Sequence, residues 1–341
     1  MENTVGISED NFKEVFKYYK RRKPPPSFKD VLHVNDAFQD GLSIPPTSIS
    51  VIEEDELQSL GLLPPKDWKI FNFISHPDLL FVRNPFTENG QLKWIDACLR
   101  EYPRNPNKTN LESCNIALAD SSWWDLATSP EGRKEDLLKK LRWVTLGYHH
   151  NWDTKEYSED MQGVMPQDLK RLCKLVAKVL GYEDFIAEAA ILNFYHSDSS
   201  LGPHTDHSEP NMSAPLLSFS FGQSAVFLIG GATKKTRPTA IFLHSGDILV
   251  MTGATRQAYH AVPRVVCVDE TPWIAKNCDN SKSEGVSELE QDNCRLKFKG
   301  KQLETQELNC TVKHDILNYV KTSRININIR QVLLPSMQSL S

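Results

Sequence analysis

Apolar positions along the chain follow two different periods. Before residue 183 the clear runs are helical: Phe12, Val15, Phe16 and Tyr19 stand at i, i+3, i+4 and i+7, with Ser8 as the expected N-cap and Pro24-Pro25-Pro26 as the stop. Leu92, Ile95 and Leu99 predict a second helix over 88–102. Leu169, Leu172, Val176 and Val179 predict a third over 167–180, with Lys170, Lys174 and Lys178 outward and Gly181 ending it. From Phe185 the period falls to that of strands. These are expected over 214–222, 225–230, 239–244, 247–252 and 257–266, parted by Gly, Pro and Ser-Gly turns. The final run alternates strictly, Arg324, Asn326, Asn328 and Arg330 on one face and Ile325, Ile327 and Ile329 on the other.

Helices followed by short strands indicate an α+β chain, with a jelly-roll (double-stranded β-helix) core against which the N-terminal helices pack. We expect a helix and wrapping segment over 1–70, a helical and substrate-recognition region over 71–182, and the core over 183–335. Residues 268–313 lack apolar periodicity and read as a flexible surface insert. Residues 109–129 fit neither period. A basic stretch with Arg133, Lys134, Lys139, Lys140 and Arg142 reads as helical, and 143–148 as a strand rich in aromatic and branched residues. Cations beside aromatics suit single-stranded nucleic acid; a solvated helix before a core strand accounts for the same residues equally well.

Charge and composition narrow the classes. A net charge of −5 argues against a protein that coats nucleic acid, though not against a local basic groove. The run Lys20-Arg21-Arg22-Lys23 reads first as a helix C-terminal charge cluster. No apolar run reaches the roughly 18 residues of a membrane helix, so no membrane partner is expected. Seven cysteines without a C-x-x-C pair suit reduced thiols rather than a disulfide framework or zinc site. The acidic, polar residues 1–10 resemble neither a secretory signal nor an Arg-rich presequence, so the expected location is intracellular.

Candidate chemistry gathers in residues 192–209. His204 and Asp206 lie two apart, so in an extended segment both point to one side and can grip one metal ion. His-x-Asp is common by chance, and the chain holds two more, His76-Pro77-Asp78 and His196-Ser197-Asp198, both read as structural. What singles out His204 and Asp206 is their company. His260 follows on a later strand, completing the two-His, one-carboxylate set of mononuclear Fe(II) oxygenases, which leaves positions for a 2-oxo acid and O2. The polar face of the last strand is either solvated or lines an anion pocket. 2-Oxoglutarate would present a second carboxylate that the fork of Arg324 can bind.

With Asn193-x-Tyr195, His204-x-Asp206, His260 and the run from Arg324 through Asn326 to Arg330 in this order, the chain resembles the AlkB family of Fe(II)/2-oxoglutarate dioxygenases, most of all an animal branch of it. The likeness extends through 12–19, 141–148, 151–153, 215–225, 244–248 and 260–265. Asn328 departs from the Thr that many relatives carry, a change expected to be tolerated. The resemblance implies iron on His204, Asp206 and His260, and 2-oxoglutarate contacted by Asn193, Tyr195 and Asn326, with Arg324 on its distal carboxylate and Arg330 near the metal. It implies oxidation of methylated bases in nucleic acid: tRNA N1-methyladenine or wobble 5-methylcytosine, or N6-methyladenine in single-stranded or unpaired DNA. It also implies nucleus or mitochondrion as the location. Tyr148 and Trp152 are the candidate base contacts. Two other readings stand beside this one: the same oxygenase chemistry on a protein such as a methylated histone, and a non-catalytic binding module on the same fold.

Overall fold

The computed structural model describes residues 10–35, 40–47, 52–114, 116, 122–268 and 310–340. Of the expected insert 268–313, residues 269–309 lie outside the described residues, as does Ser8, and 310–313 form the start of a helix rather than part of a loop. Among the described residues thirteen strands form two antiparallel sheets. They are β1 (Gly41–Ile44), β2 (Lys69–Phe73), β3 (Leu79–Arg83), β4 (Lys108–Thr109), β5 (Trp143–Gly147), β6 (Ala189–His196), β7 (Leu201–His204), β8 (Leu216–Gly222), β9 (Ser224–Ile229), β10 (Thr239–Leu243), β11 (Ile248–Met251), β12 (His260–Val266) and β13 (Ser323–Arg330). The large sheet has nine strands in the order β1-β2-β3-β11-β8-β13-β6-β5-β4, and the small one has four, β10-β9-β12-β7.

The helices are α1 (Asn11–Lys20), α2 (Glu54–Leu60), α3 (Glu88–Asp96, extended by a π turn to Glu101), α4 (Trp123–Thr128), α5 (Pro130–Lys134), α6 (Gln167–Val179) and α7 (Cys310–Val320). Asp10 caps α1, its carboxylate accepting the Lys13 N–H at 2.8 Å. No helix among the described residues is long and apolar enough to cross a membrane.

Alternation of side chains explains the layers. Phe227, Ile229, Ile241, Leu243 and Val262 of the small sheet meet Phe71, Phe81, Leu249 and Met251 of the large one in a core between the sheets. On the outer side of the small sheet, Val226, Leu228, Ala240 and Phe242 are covered by Phe12, Val15, Phe16 and Tyr19 of α1. Behind the large sheet, Ile325, Ile327 and Ile329 join Leu217, Phe219 and residues of α3, α4, α6 and α7 in the largest core. This is the jelly-roll sandwich with helices on its outer faces. The run 225–229 is apolar throughout because β9 is covered on both faces.

Several elements lie where no pattern predicted them. Residues 27–69 do more than wrap: β1 adds an outer strand to the large sheet and α2 packs into its helical core. β2 and β3 carry no alternation because Ile70, Leu80 and Val82 face the helices while Phe71, Leu79 and Phe81 face the small sheet. Strands from before residue 183 therefore complete the large sheet, and the three expected segments share one core. The basic stretch is broken: α5 ends at Lys134, a single 3-10 turn spans Leu137–Lys139, and Arg142 lies outside both.

Gly222 lets the chain pass from one sheet to the other between β8 and β9. Its φ of +78° suits glycine, and a Cβ there would stand 2.5 Å from the Ser323 carbonyl oxygen.

Candidate active site

The pairing of β6 with β13 sets one wall. Asn193 stands opposite Asn326 and Tyr195 opposite Arg324, so all four side chains share the face toward the small sheet. On the other side of β13, Ser218 and Ser220 of β8 alternate with core residues Leu217 and Phe219. Ser218 Oγ accepts from Asn326 Nδ2 and Ser220 Oγ from Arg324 Nη2, each at 2.9 Å. Arg324 is 1% exposed, and its Nε and Nη1 find no partner among the described residues. Burial pulls its guanidinium down to about 10. A buried cation with unused N–H groups beside a cavity is a receptor for a carboxylate.

The small sheet supplies the other wall. His204 ends β7 and His260 begins β12, and the two residues pair directly across the strands, their rings 4.2 Å apart. Asp206 follows on the same side. His204 Nε2 lies 3.9 Å from Asp206 Oδ1 and His260 Nε2 lies 3.9 Å from Asp206 Oδ2. Each Nδ1 faces a backbone carbonyl, Gly202 at 2.9 Å and Ala258 at 3.1 Å. These carbonyls favour the proton on Nδ1 and turn a lone pair on Nε2 toward the carboxylate. Burial first, and His204 second, lower His260 to about 4, so it is a neutral imidazole near pH 7. Loss of water opposes ionisation of Asp206, but Arg330 and then the imidazoles hold the carboxyl well below the usual range.

These residues fit a metal ion. Two bonds of about 2.1 Å to one ion span at most about 4.2 Å, which takes in both 3.9 Å separations. The three donor atoms lie within 4.8 Å of one another.

His204, Asp206, His260, Asn193, Tyr195, Arg324, Asn326 and Arg330 all line one open cavity of about 510 Å³. Arg330 stands at the metal end of the cavity, beside Asp206. Its Nη2 donates to Asp206 Oδ2 at 2.9 Å, and its Nε lies 2.7 Å from Glu209 Oε1, too bent for a hydrogen bond. It braces the carboxylate ligand while lining the cavity.

The two candidate base contacts part company. Trp152 is 47% exposed and lines the cavity mouth, its ring 4.7 Å from that of His150 and 5.6 Å from that of Trp143. Tyr148 is 3% exposed, packs with Tyr157, Ala189 and Val332, and donates its hydroxyl to Glu159 at 2.8 Å. It is not a cavity residue. The reason is Gly147, which ends β5 with a φ of +68° and turns the chain away from the face that an unbroken strand would have kept.

The two other His-x-Asp pairs are structural. His76 bonds Thr239 Oγ1 at 2.9 Å while Asp78 accepts the Ala254 N–H at 2.8 Å, and His196 bonds Ser323 Oγ at 3.0 Å.

A profile of the 2OG-Fe(II) oxygenase superfamily matches residues 78–330, which takes in every residue of this cavity. The chain is a 2OG-Fe(II) oxygenase. It is 37% identical over 352 residues to the mouse protein named nucleic acid dioxygenase ALKBH1, covering 95% of this chain and 84% of that one. It is 34% identical to the tRNA demethylase abh1 of Schizosaccharomyces pombe, covering 65% of this chain and 80% of that one. It is 30% identical to the DNA N(6)-methyladenine demethylase ALKBH1A of Arabidopsis thaliana, with 77% of each covered. Membership of the family implies Fe(II), 2-oxoglutarate and O2, and the His-Asp-His cluster supplies matching donors.

Other residues of this 2OG-Fe(II) oxygenase line or support the cavity without having been singled out: Ser218, Ser220, His150, Tyr157, Glu209 and Arg256. The serines had a signal, since Leu216-Leu217-Ser218-Phe219-Ser220-Phe221 puts both on the face opposite the phenylalanines. Glu209 stood at the end of the candidate stretch with no partner in sequence, and Arg256 is a single charge in a polar turn.

Proposed function

We propose that this oxygenase oxidises methyl groups on nucleic-acid bases, removing them from nitrogen and oxidising them on carbon. In tRNA the substrates are N1-methyladenine or wobble 5-methylcytosine; in DNA, N6-methyladenine. The observation that carries the reading is the His204-Asp206-His260 cluster in a cavity whose far wall holds Arg324, with two guanidinium nitrogens unpartnered among the described residues, and whose mouth holds Trp152. Iron, 2-oxoglutarate and O2 together supply an oxidant strong enough for a methyl C–H bond, with succinate and CO2 as by-products.

The chain does the positioning. His204, Asp206 and His260 would hold the ion through Nε2, one carboxylate oxygen and Nε2. Arg324 would take the distal carboxylate in its fork, with Tyr195, Asn193 and Asn326 beside it. An N-hydroxymethyl product releases formaldehyde and leaves the nitrogen bare, whereas a methyl group on carbon stays as hydroxymethyl or formyl.

Two further features support a nucleic-acid substrate. Trp152 and His150 offer flat faces on which an unstacked base can lie. Two basic stretches far apart in sequence meet on the loop before β7: Arg22 donates to the Ser197 carbonyl at 2.9 Å and Arg142 to Ser199 Oγ at 2.7 Å. Cations on both sides of a loop that leads into the cavity suit phosphates of a single strand.

Succinate release from Fe(II)-loaded protein, given O2, 2-oxoglutarate and a panel of methylated tRNA, single-stranded DNA and histone peptides, tests the reading. His204→Ala is the control. Turnover coupled to methyl loss or oxidation on one nucleic acid is expected. Coupling to peptide alone would make the protein a protein demethylase, and metal binding without turnover on any substrate would make it a binding module.

A further inference from the structure

Two buried charges beside the metal cluster, Glu209 and Arg256, have no part in the chemistry above. Glu209, 4% exposed, follows Asp206 on the same loop. Its Oε2 lies 2.8 Å from Arg256 Nη2, and its Oε1 lies 2.7 Å from Arg330 Nε and accepts the Tyr157 hydroxyl at 3.2 Å. Arg256, 1% exposed, sits in the turn Gly253–Gln257 that leads into His260, and its Nη1 also donates to the Asp206 carbonyl oxygen at 3.1 Å. Arg330 Nη2 donates to Asp206 Oδ2 at 2.9 Å. Two guanidiniums and two carboxylates thus alternate, and Arg256 touches both acidic residues.

The division of Arg330 is the unusual feature. A guanidinium beside a carboxylate tends to place two parallel N–H groups on its two oxygens. Here the Nη2 side goes to Asp206 and the Nε side to Glu209, so Asp206 Oδ1 carries no guanidinium bond and faces His204 Nε2 at 3.9 Å. We propose that Glu209, itself anchored by Arg256, is a positioning residue that keeps Arg330 split between two carboxylates and so keeps one oxygen of Asp206 open to the metal ion. Without the charge of Glu209, two buried guanidiniums face a single carboxylate. The whole fork of Arg330 then turns onto Asp206 and competes with the metal for both oxygens. The inference rests on the reading of Asp206 as a metal ligand.

Metal affinity, measured without 2-oxoglutarate or substrate by Co(II) absorbance or Mn(II) paramagnetic resonance, reads this directly. Glu209→Gln, folded by circular dichroism, is expected to bind Co(II) about 10–100-fold more weakly, the range typical of residues that support a ligand from behind. Saturating metal should restore its kcat while KM for 2-oxoglutarate stays near that of the unaltered protein. His204→Ala separates the two ideas. If His204→Ala binds metal as well as the unaltered protein, the metal site itself is wrong and the inference falls with it. If His204→Ala loses metal and folded Glu209→Gln does not, the metal site stands and the inference is overturned. Should Glu209→Gln not fold, Arg256→Lys keeps a buried cation but cannot span the Asp206 carbonyl and Glu209 together. Several-fold weaker metal binding is expected there, and unchanged affinity overturns the inference.

Discussion

Arg324 stands directly opposite Tyr195 on neighbouring strands, with two of its three guanidinium nitrogens unpartnered among the described residues. A buried charge left unsatisfied costs stability until a ligand meets it, roughly 1–3 kcal/mol or more. Arg324→Met should therefore raise the melting temperature of the ligand-free protein and abolish the further rise that 2-oxoglutarate gives. Arg324→Lys keeps the charge but loses the fork, so KM for 2-oxoglutarate should climb about tenfold or more with a smaller change in kcat. Equal KM values for Lys and Arg would remove Arg324 from the cosubstrate site.

Trp152 and Tyr148 give opposite expectations although they are close in sequence. Trp152→Ala should weaken binding of a methylated single strand by about 1–3 kcal/mol, the range for loss of one stacked base, and leave KM for 2-oxoglutarate unchanged. Tyr148→Phe removes a hydrogen bond to Glu159 away from the cavity, so it should lower stability slightly and leave KM for the nucleic acid alone. Steady-state kinetics on one methylated oligonucleotide checks both.

Phe12 is fully buried against the outer face of the small sheet. Phe12→Ala should cost about 3–5 kcal/mol in urea unfolding. Because His260 belongs to a strand of that sheet, metal affinity should fall as well. A loss under about 1 kcal/mol would mean that α1 is not seated as described.

Asp247 supplies a dependence on pH. Burial pushes its carboxyl from 3.8 up to about 7, against the backbone N–H groups of His244 and Asn84 that it accepts. A carboxyl raised in the folded state is better tolerated protonated. Its contribution is thus fully present below about pH 4 and is lost as pH rises through 7, by up to about 4 kcal/mol for a carboxyl raised from 3.8 to about 7. Urea unfolding across pH 5–8 should show Asp247→Asn with a flatter profile than the unaltered protein. Parallel profiles would show that Asp247 titrates normally.

Much of the site was legible because strands have a period of two. His204 and Asp206 and the polar face from Arg324 to Arg330 follow from that spacing, Asn193 and Tyr195 came only with the resemblance to AlkB proteins, and the structure brings all of them to one cavity. What stayed hidden has physical reasons. β2 and β3 are covered on both faces, which erases alternation. Tyr148 lies past a left-handed glycine that alternation cannot foresee. Glu209 and Arg256 matter through each other, and nothing in sequence links an acid in one loop to a base in another. Among the described residues Arg324 keeps two guanidinium nitrogens without a partner while Arg330 is engaged with Asp206 and Glu209, and pairing in space, not sequence, tells these two alike residues apart.

The two halves of the cavity belong to different sheets. His204 and His260 ride on the small sheet, and Asn193, Tyr195, Arg324 and Asn326 on the large one. A molecule held at one end by the metal and at the other by Arg324 is therefore a strut across the sandwich, parallel to the Arg330–Asp206 contact that already spans the gap. Slight parting of the sheets would disarm the enzyme while each sheet kept its own hydrogen bonds. Activity is then the most sensitive gauge of how tightly the sandwich is shut.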